Sequence, residues 1–243
     1  MIDRPIAFVR SLLFALVFYT ITPFFVLLGS LMAFCNERAM HWIVTSWGHS
    51  HRLLCRVILG QKIMVDGILP QEPMLYVFKH ESMFETIDLL CMFNAPAVIA
   101  KQELLNIPGW GWIAKRHGMI GIERTAGAKA LRQLQKDAKR AIAAGKPICF
   151  FPEGTRVPHG ETPQLRAGFA ALYQILKLPV VPIAVNSGLV APRHSFIKKP
   201  GIVRYQIGET IPPGLPRDEA EARAHAAINV LNRPASHQAG TET

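Results

Sequence analysis

An α/β fold is predicted for this 243-residue chain: a mixed, largely parallel sheet flanked by helices, preceded by an N-terminal membrane-embedded helical segment. Three features carry the prediction. Beyond residue 60, short apolar runs alternate with longer stretches of helical periodicity, a pattern that places helices on both sides of a sheet. Two of these runs stop abruptly at charged, glycine or proline residues. Met74-Leu75-Tyr76-Val77-Phe78 is followed by His80, and Ile148-Cys149-Phe150 by Phe151-Pro152-Glu153-Gly154. Such a run reads as a buried strand that delivers polar groups to the mouth of the sheet, where ligands bind. Ahead of both, residues 11–36 carry no charged side chain for 26 positions.

That uncharged stretch is too long for a signal-peptide core and has no small-residue cleavage site just beyond it. As one straight helix it would run about 39 Å, enough for a hydrocarbon core of about 30 Å. Pro23 divides it into halves of about 18 Å, so a kinked span and a shallow re-entrant hairpin both fit. Arginines flank both ends, at Arg4 and Arg10 and at Arg38, Arg52 and Arg56, and leave the orientation undecided. A buried soluble helix is the competing reading, disfavoured by the missing polar face. Over 40–59, Thr45, His49, Arg52 and Arg56 share one helical face and Ile43, Trp47, Leu54 and Ile58 the other. A helix lying in the lipid headgroup layer, with Trp47 and the aliphatics inward and the arginines toward phosphates, accounts for this, as does a helix packed on its own domain.

Strands are expected at 63–66, 74–78, 97–100, 120–122, 148–151, 180–185 and 203–207. A helix at about 126–144 sets Leu131, Leu134, Ala138 and Ile142 against a basic face of Lys129, Arg132, Lys136 and Lys139. From Asn232 onward Pro, Ser, Gln, Gly and Thr dominate, which predicts disorder. The expected division is therefore 1–59, a membrane anchor with an interfacial helix; 60–231, the main domain; and 232–243, a disordered tail.

Half of the residues are apolar, yet 27 Lys and Arg face 17 Asp and Glu, a formal net charge of +10. A basic excess on an apolar-rich chain favours anionic lipid surfaces and phosphorylated substrates. Nucleic acid is the rival polyanion, but no finger, helix-turn-helix or aromatic stacking motif accompanies the charge. Cys35, Cys55, Cys91 and Cys149 are scattered without metal-binding spacing, as expected of reduced thiols in a cytosol-facing protein, and imply no metal.

Residues five apart on a regular helix lie about 140° apart, so His80 and Glu85 cannot face one substrate from the same helix. His80 must precede it. Ser82-Met83-Phe84-Glu85 has the form of a capping box, which starts the helix at Ser82 and lets Glu85 fold back toward the imidazole. An imidazole so held can take a proton from a hydroxyl while the carboxylate fixes its tautomer. Glu85 as a plain helix cap is the alternative at this stage. In the second string, Gly154 permits a tight turn, while Thr155 and Arg156 offer a hydroxyl and a planar charged fork suited to phosphate. An ordinary strand-end turn, with Glu153 and Arg156 as a solvated ion pair, competes with that anion clamp.

Together the strings resemble the glycerolipid acyltransferase family, typified by the 1-acyl-sn-glycerol-3-phosphate acyltransferases. Four blocks stand in the family's order. His80 through Glu85 matches the first, with Glu where the family usually has Asp. Gly118-Met119-Ile120-Gly121-Ile122-Glu123-Arg124 resembles the second, Phe151 to Arg156 the third, and Val180-Val181-Pro182-Ile183-Ala184-Val185 the fourth. Lys101-Gln102-Glu103-Leu104 and Pro108-Gly109 also look like the stretch between the first two blocks. The resemblance covers roughly 60 to 210.

It implies that His80, held by Glu85, deprotonates the sn-2 hydroxyl of lysophosphatidic acid as that oxygen attacks an acyl thioester of coenzyme A or acyl carrier protein, giving phosphatidic acid without a covalent acyl-enzyme. Arg156 with Glu153, Gly154 and Thr155, and also Lys101 and Arg124, would form the substrate-binding set. Backbone N–H groups at the helix start after His80 would stabilise the oxyanion. No cofactor is implied beyond the thioester co-substrate. The expected location is a membrane, the bacterial inner membrane with the catalytic part on its cytoplasmic side. Another lysolipid acceptor, such as a lyso-ornithine lipid, is the alternative; a non-catalytic module that binds anionic lipid is the alternative of another class. A serine esterase lacks its G-x-S-x-G elbow here.

Overall fold

The computed structural model describes residues 4–123 and 127–232. Arg124 and residues 233–243, the bulk of the expected tail, lie outside the described residues.

The strands are β1 Gln61–Asp66, β2 Leu75–Phe78, β3 Ala97–Lys101, β4 Ile120–Ile122, β5 Ile148–Phe150, β6 Val180–Val185 and β7 Gly201–Ile207, each within two residues of its expected position. The helices are α1 Arg4–Cys35, α2 Glu37–Leu54, α3 Phe84–Met92, α4 Trp110–His117, α5 Gly127–Ala143, α6 Gly168–Leu176 and α7 Arg217–Ile228. The strands form one sheet in the order β1-β7-β6-β2-β5-β3-β4. β2 pairs in parallel with both β5 and β6, β5 with β3, and β3 with β4. β1 is parallel to β7, and the β6–β7 pair is antiparallel. From β2 to β6 each strand is joined to the next through a helix, α3 to α6 in turn, as parallel pairing requires. Their carboxyl ends therefore share one edge, where such sheets place their ligands.

Period-two alternation builds the layers. Tyr76 and Phe78 of β2 join a core with Phe84, Ile87, Val181 and Ile183. Leu75 and Val77, on the opposite face, join Ile99, Leu134, Phe169 and Leu172. α5, α6 and α7 thus cover one side of the sheet, and α3 with the N-terminal helices covers the other.

α1 runs unbroken through Pro23, and its 32 residues span about 48 Å. No re-entrant hairpin forms within it. Pro23 leaves the Tyr19 carbonyl without its helical N–H; one residue earlier Thr22 Oγ1 donates to Phe18 O at 2.7 Å and accepts the Trp47 indole N–H at 3.0 Å, which ties α1 to α2. The chain reverses at Asn36, whose side chain caps α2 by accepting Ala39 N–H at 3.1 Å. α2 then returns alongside α1. The apolar face of residues 40–59 meets protein: Met40 and Ile43 are buried, Gly29 of α1 lies beside Ile43 and Ile113, and a Cβ on Gly48 would stand 2.9 Å from Leu90 of α3. Arg52 does not reach for lipid phosphate, because it forms a bidentate pair with Asp88 of α3 at 2.8 and 3.0 Å. The expected burial of the stripe in lipid is thereby corrected: it is the inner face of a helix packed on its own molecule, and Trp42, His49, Leu53, Arg56 and Val57 are what residues 40–59 expose.

α1 keeps an open apolar side that includes Leu16, Phe24, Leu27 and Phe34. It is long and apolar enough to cross a membrane, and 17% of its most apolar window is buried, far less than a core helix of a soluble protein needs. At the other end, Asn232 accepts Gly160 N–H and donates to Glu161 O, so this first residue of the expected tail belongs to the folded part.

Candidate active site

The site is built on the carboxyl edge, at the central strand. β2 ends at Phe78, and Lys79 to Met83 form the loop that turns into α3, whose first helical residue is Phe84. Glu85 sits in the first turn with its carboxylate fully buried. Its Oε1 accepts three N–H groups, His80 Nδ1–H at 2.9 Å, Glu81 N–H at 2.8 Å and Ser82 N–H at 2.7 Å. Oε2 accepts the Ser187 hydroxyl at 2.6 Å from the turn that follows β6. The cap and the imidazole holder, which the sequence offers as alternatives, are one carboxylate. A carboxylate can only accept here, so the shared proton belongs to Nδ1, and the neutral ring presents Nε2 as a lone pair. The His80 ring leans on Phe151 with centroids 4.2 Å apart.

The third block holds the His80 backbone on both sides. Glu153 Oε2 accepts His80 N–H at 2.9 Å, and Val157 N–H donates to His80 O at 2.7 Å. Glu153 Oε1 pairs with Lys79 Nζ at 2.6 Å, and that buried ammonium also donates to Glu161 O and Asn229 Oδ1 at 2.7 and 2.8 Å. Burial pushes the Glu153 carboxyl above its ordinary range, and the Lys79 charge opposes this. Glu153 is thus corrected from a substrate ligand to a scaffold group, since both oxygens are occupied and the side chain is 1% exposed. It forms no ion pair with Arg156. Gly154 takes a left-handed φ of +68°, the freedom its turn requires.

One further expectation changes. The N–H groups of Glu81, Ser82 and Phe84 are bonded to Glu85 Oε1 or Ser82 Oγ, so these three amides are not open to an oxyanion. Lys101 stands exposed at the end of β3, and neither it nor His80 is among the residues lining the cleft beside the His80 loop. Arg124 lies outside the described residues. Ser82 Oγ accepts Phe84 N–H at 3.2 Å, the role of a cap.

Glu81, next to His80, is also buried. Its Oε1 accepts His159 Nδ1–H at 2.9 Å and its Oε2 accepts Gly188 N–H at 2.8 Å. Lys79, Glu81, Ser187 and Asn229 are the site-building residues that the sequence does not single out; their partners lie up to 150 positions away, beyond any local pattern. Among the described residues no three His, Cys, Asp or Glu side chains gather as a metal site.

A cleft of about 290 Å³ opens beside the His80 loop. Phe14, Ala15 and Tyr19 of α1 line it with Leu59 and Phe84; Ser82 and Met83 bring it to the His80 loop, and Arg156 is the member of the third block that faces it. An apolar cleft with cationic groups accommodates an amphiphile with an anionic head.

Fold and site together define an acyl-transferring enzyme of the α/β class. The acyltransferase family model matches residues 62–186, and the chain belongs to that family. It is 34% identical over 196 residues to the 1-acyl-sn-glycerol-3-phosphate acyltransferase of Pseudomonas aeruginosa, covering 80% of this chain and 74% of that protein. It is 28% identical to the lyso-ornithine lipid O-acyltransferase of the same organism, covering 70% and 71%. The crystal structure of the 1-acyl-sn-glycerophosphate acyltransferase from Thermotoga maritima superposes with a TM-score of 0.74 at 21% identity, covering 92% of this chain and 95% of that one, and thus shares the fold.

Proposed function

We propose that the protein transfers an acyl chain from a thioester, acyl-CoA or acyl carrier protein, to the sn-2 hydroxyl of 1-acyl-sn-glycerol-3-phosphate, producing phosphatidic acid at a membrane surface. The observation that carries this reading is the His80 Nδ1–Glu85 Oε1 bond of 2.9 Å on a loop whose Ser82 and Met83 line the cleft that Arg156 and apolar residues of α1 share. His80 Nε2 takes the hydroxyl proton as the oxygen attacks the thioester carbonyl; Glu85 stabilises the imidazolium; collapse of the tetrahedral intermediate breaks the C–S bond and expels the thiolate, which takes the proton from His80 and leaves as the thiol. Attack by an aligned hydroxyl on a thioester needs no acyl-enzyme. Arg156, beside the tight Gly154 turn and Thr155, serves the glycerol phosphate as a charge-assisted partner. The open apolar side of α1 inserts into lipid, which brings the cleft to the layer where lysolipid resides. The location of this reading is a membrane, the bacterial inner membrane with the catalytic part on the cytoplasmic side; the long apolar α1 supports the membrane part of it.

The relative named for lyso-ornithine lipid supports a second acceptor, acylated by the same pair. Both readings are tested with detergent-solubilised protein and labelled acyl-CoA, offered lysophosphatidic acid and lyso-ornithine lipid in parallel. Phosphatidic acid as the dominant product supports the first reading, ornithine lipid alone the second, and no product with either acceptor or with acyl carrier protein as donor contradicts both.

A further inference from the structure

The segment between β6 and β7 brings two cations to the cleft that no motif singles out. Arg193 and Lys198 line it together with Arg156. Arg193 Nη1 donates to the Arg156 carbonyl at 2.8 Å, so the two arginines come from neighbouring walls. Lys198 feels the Arg156 charge directly: burial, and then that charge, lower the ammonium's affinity for its proton.

Three other cations that the fold covers wholly or in part are matched by a carboxylate. Lys79 has Glu153, Arg52 has Asp88 and Arg204 has Asp66. The cleft lining contains no Asp or Glu, and among the described residues neither Arg156, Arg193 nor Lys198 forms an ion pair. Three like charges brought together without a counter-ion oppose folding, and the arrangement becomes favourable when an anion enters.

The cations are also held in place before any ligand arrives. Lys198 Nζ donates to Ser195 O at 2.8 Å, and the Lys198 N–H donates to Ser11 Oγ of α1, also at 2.8 Å. Lys199 N–H bonds Val190 O at 2.7 Å, and Gln61 Nε2 clamps Lys199 O at 2.9 Å. Because Val157 N–H bonds His80 O, the Arg156 segment is fixed to the loop that carries the base.

We infer that Arg193 and Lys198 complete, with Arg156, a binding site for a phosphate monoester, the head group of the lipid acceptor, and that they set the preference for a phosphate-bearing acceptor over a phosphate-free one. A phosphate monoester brings about −1.5 to −2 charge and three acceptor oxygens, matching three cations. A zwitterionic ornithine head would bring an ammonium into the same place. The assignment rests on the acyl-transfer reading for its biological acceptor, but the anion site can be tested without turnover.

The decisive variants are Lys198→Ala, Arg193→Ala and the pair, with Lys198→Arg as the charge-keeping control and thermal melting to verify folding. With acyl-CoA as donor, the KM for lysophosphatidic acid should rise about tenfold or more per lost cation, with kcat and the donor KM little changed. Lys198→Arg should keep most of the affinity, and activity on monoacylglycerol, which lacks the phosphate, should not fall. A rise confined to the KM of acyl-CoA and absent with acyl carrier protein would assign the cations to coenzyme A phosphates and overturn the inference, as would an unchanged acceptor KM. Independently, dodecyl phosphate titrated into the protein in non-ionic detergent should bind, with dodecanol as the uncharged control, and the double variant should lose that binding. Equal binding by wild type and double variant overturns the anion site whether or not the protein acylates lysophosphatidic acid; loss of binding with no transferase activity supports the site and rejects only the acceptor.

Discussion

Glu85 holds four donors on two oxygens, and its length makes this possible. Compared with the Asp that the family usually has, the extra methylene moves the carboxylate by about 1.5 Å. In the fold that reach lets the helix residue return to the backbone of Glu81 and Ser82 as well as to the imidazole. A glutamine in its place offers a carbonyl oxygen to the same three N–H groups and an amide N–H₂ to Ser187 Oγ, so it preserves geometry and removes charge. Glu85→Gln should therefore fold and melt like the parent while kcat falls about a hundredfold or more, because nothing then stabilises the imidazolium; steady-state kinetics beside a thermal melt separate the two effects. The pair itself was legible from a capping box and a five-residue spacing. Ser187 was not, because a serine 102 positions away carries no local signal. Nor was the role of Glu153, because its partner Lys79 reads in sequence as one more surface cation until the fold buries it.

Among elements, α3 is the joint of the molecule. Glu85 and Asp88, three apart, lie on neighbouring positions of one helical face; the first holds His80 and the second holds Arg52 of α2. The N-terminal hairpin is thereby tied to the helix that orients His80. Removing Arg52 leaves Asp88 buried and uncompensated, a loss of roughly a few kcal/mol, reduced because the arginine itself is about one-third exposed at 32%. Arg52→Ala should lower the melting temperature and the transfer rate together, whereas Arg52→Lys, which keeps the charge but not the fork, should fall between. Melts and activity measured on the same preparations check this. All seven strands could be placed from sequence because each is a short apolar run closed by turn residues. The periodicity of 40–59 showed that a helix has two faces, but periodicity does not name the medium each face meets, and here the inner one meets α1 and α3.

At the scale of the whole molecule, α2 and α4 meet at a second joint, where His41 and His117 share a hydrogen bond of 2.9 Å between their Nδ1 atoms. His41 Nε2 faces Glu37 at 3.5 Å, which leaves its Nδ1 as acceptor and makes His117 Nδ1 the donor. His117 Nε2 is buried without a partner, and Lys146 Nζ donates to the His117 carbonyl at 2.8 Å. Burial, then the neighbouring His41 and Lys146 charges, push His117 down to about 3 from an ordinary 6.5. The unfolded chain binds the extra proton first as pH falls below 6.5, so this ring stabilises the fold above that pH and loses its contribution on the way to about 3. Melting temperature should decline from pH 7 to pH 5, and His117→Gln should flatten that decline; an unchanged slope would remove His117 from the account. The long apolar N-terminal helix and the α/β body were readable from charge and hydropathy. The surfaces that join them were not, because they are made by residues from distant stretches of the chain.

The central claim is that His80 is the base that activates a lipid hydroxyl. It is tested most directly by the single-turnover rate of acyl transfer from labelled acyl-CoA to saturating lysophosphatidic acid, compared between the parent and His80→Ala in the same detergent. Loss of general-base help predicts a rate about 10² to 10⁴ lower with acceptor binding unchanged. A His80→Ala variant that transfers acyl chains within a few-fold of the parent rate would contradict the account.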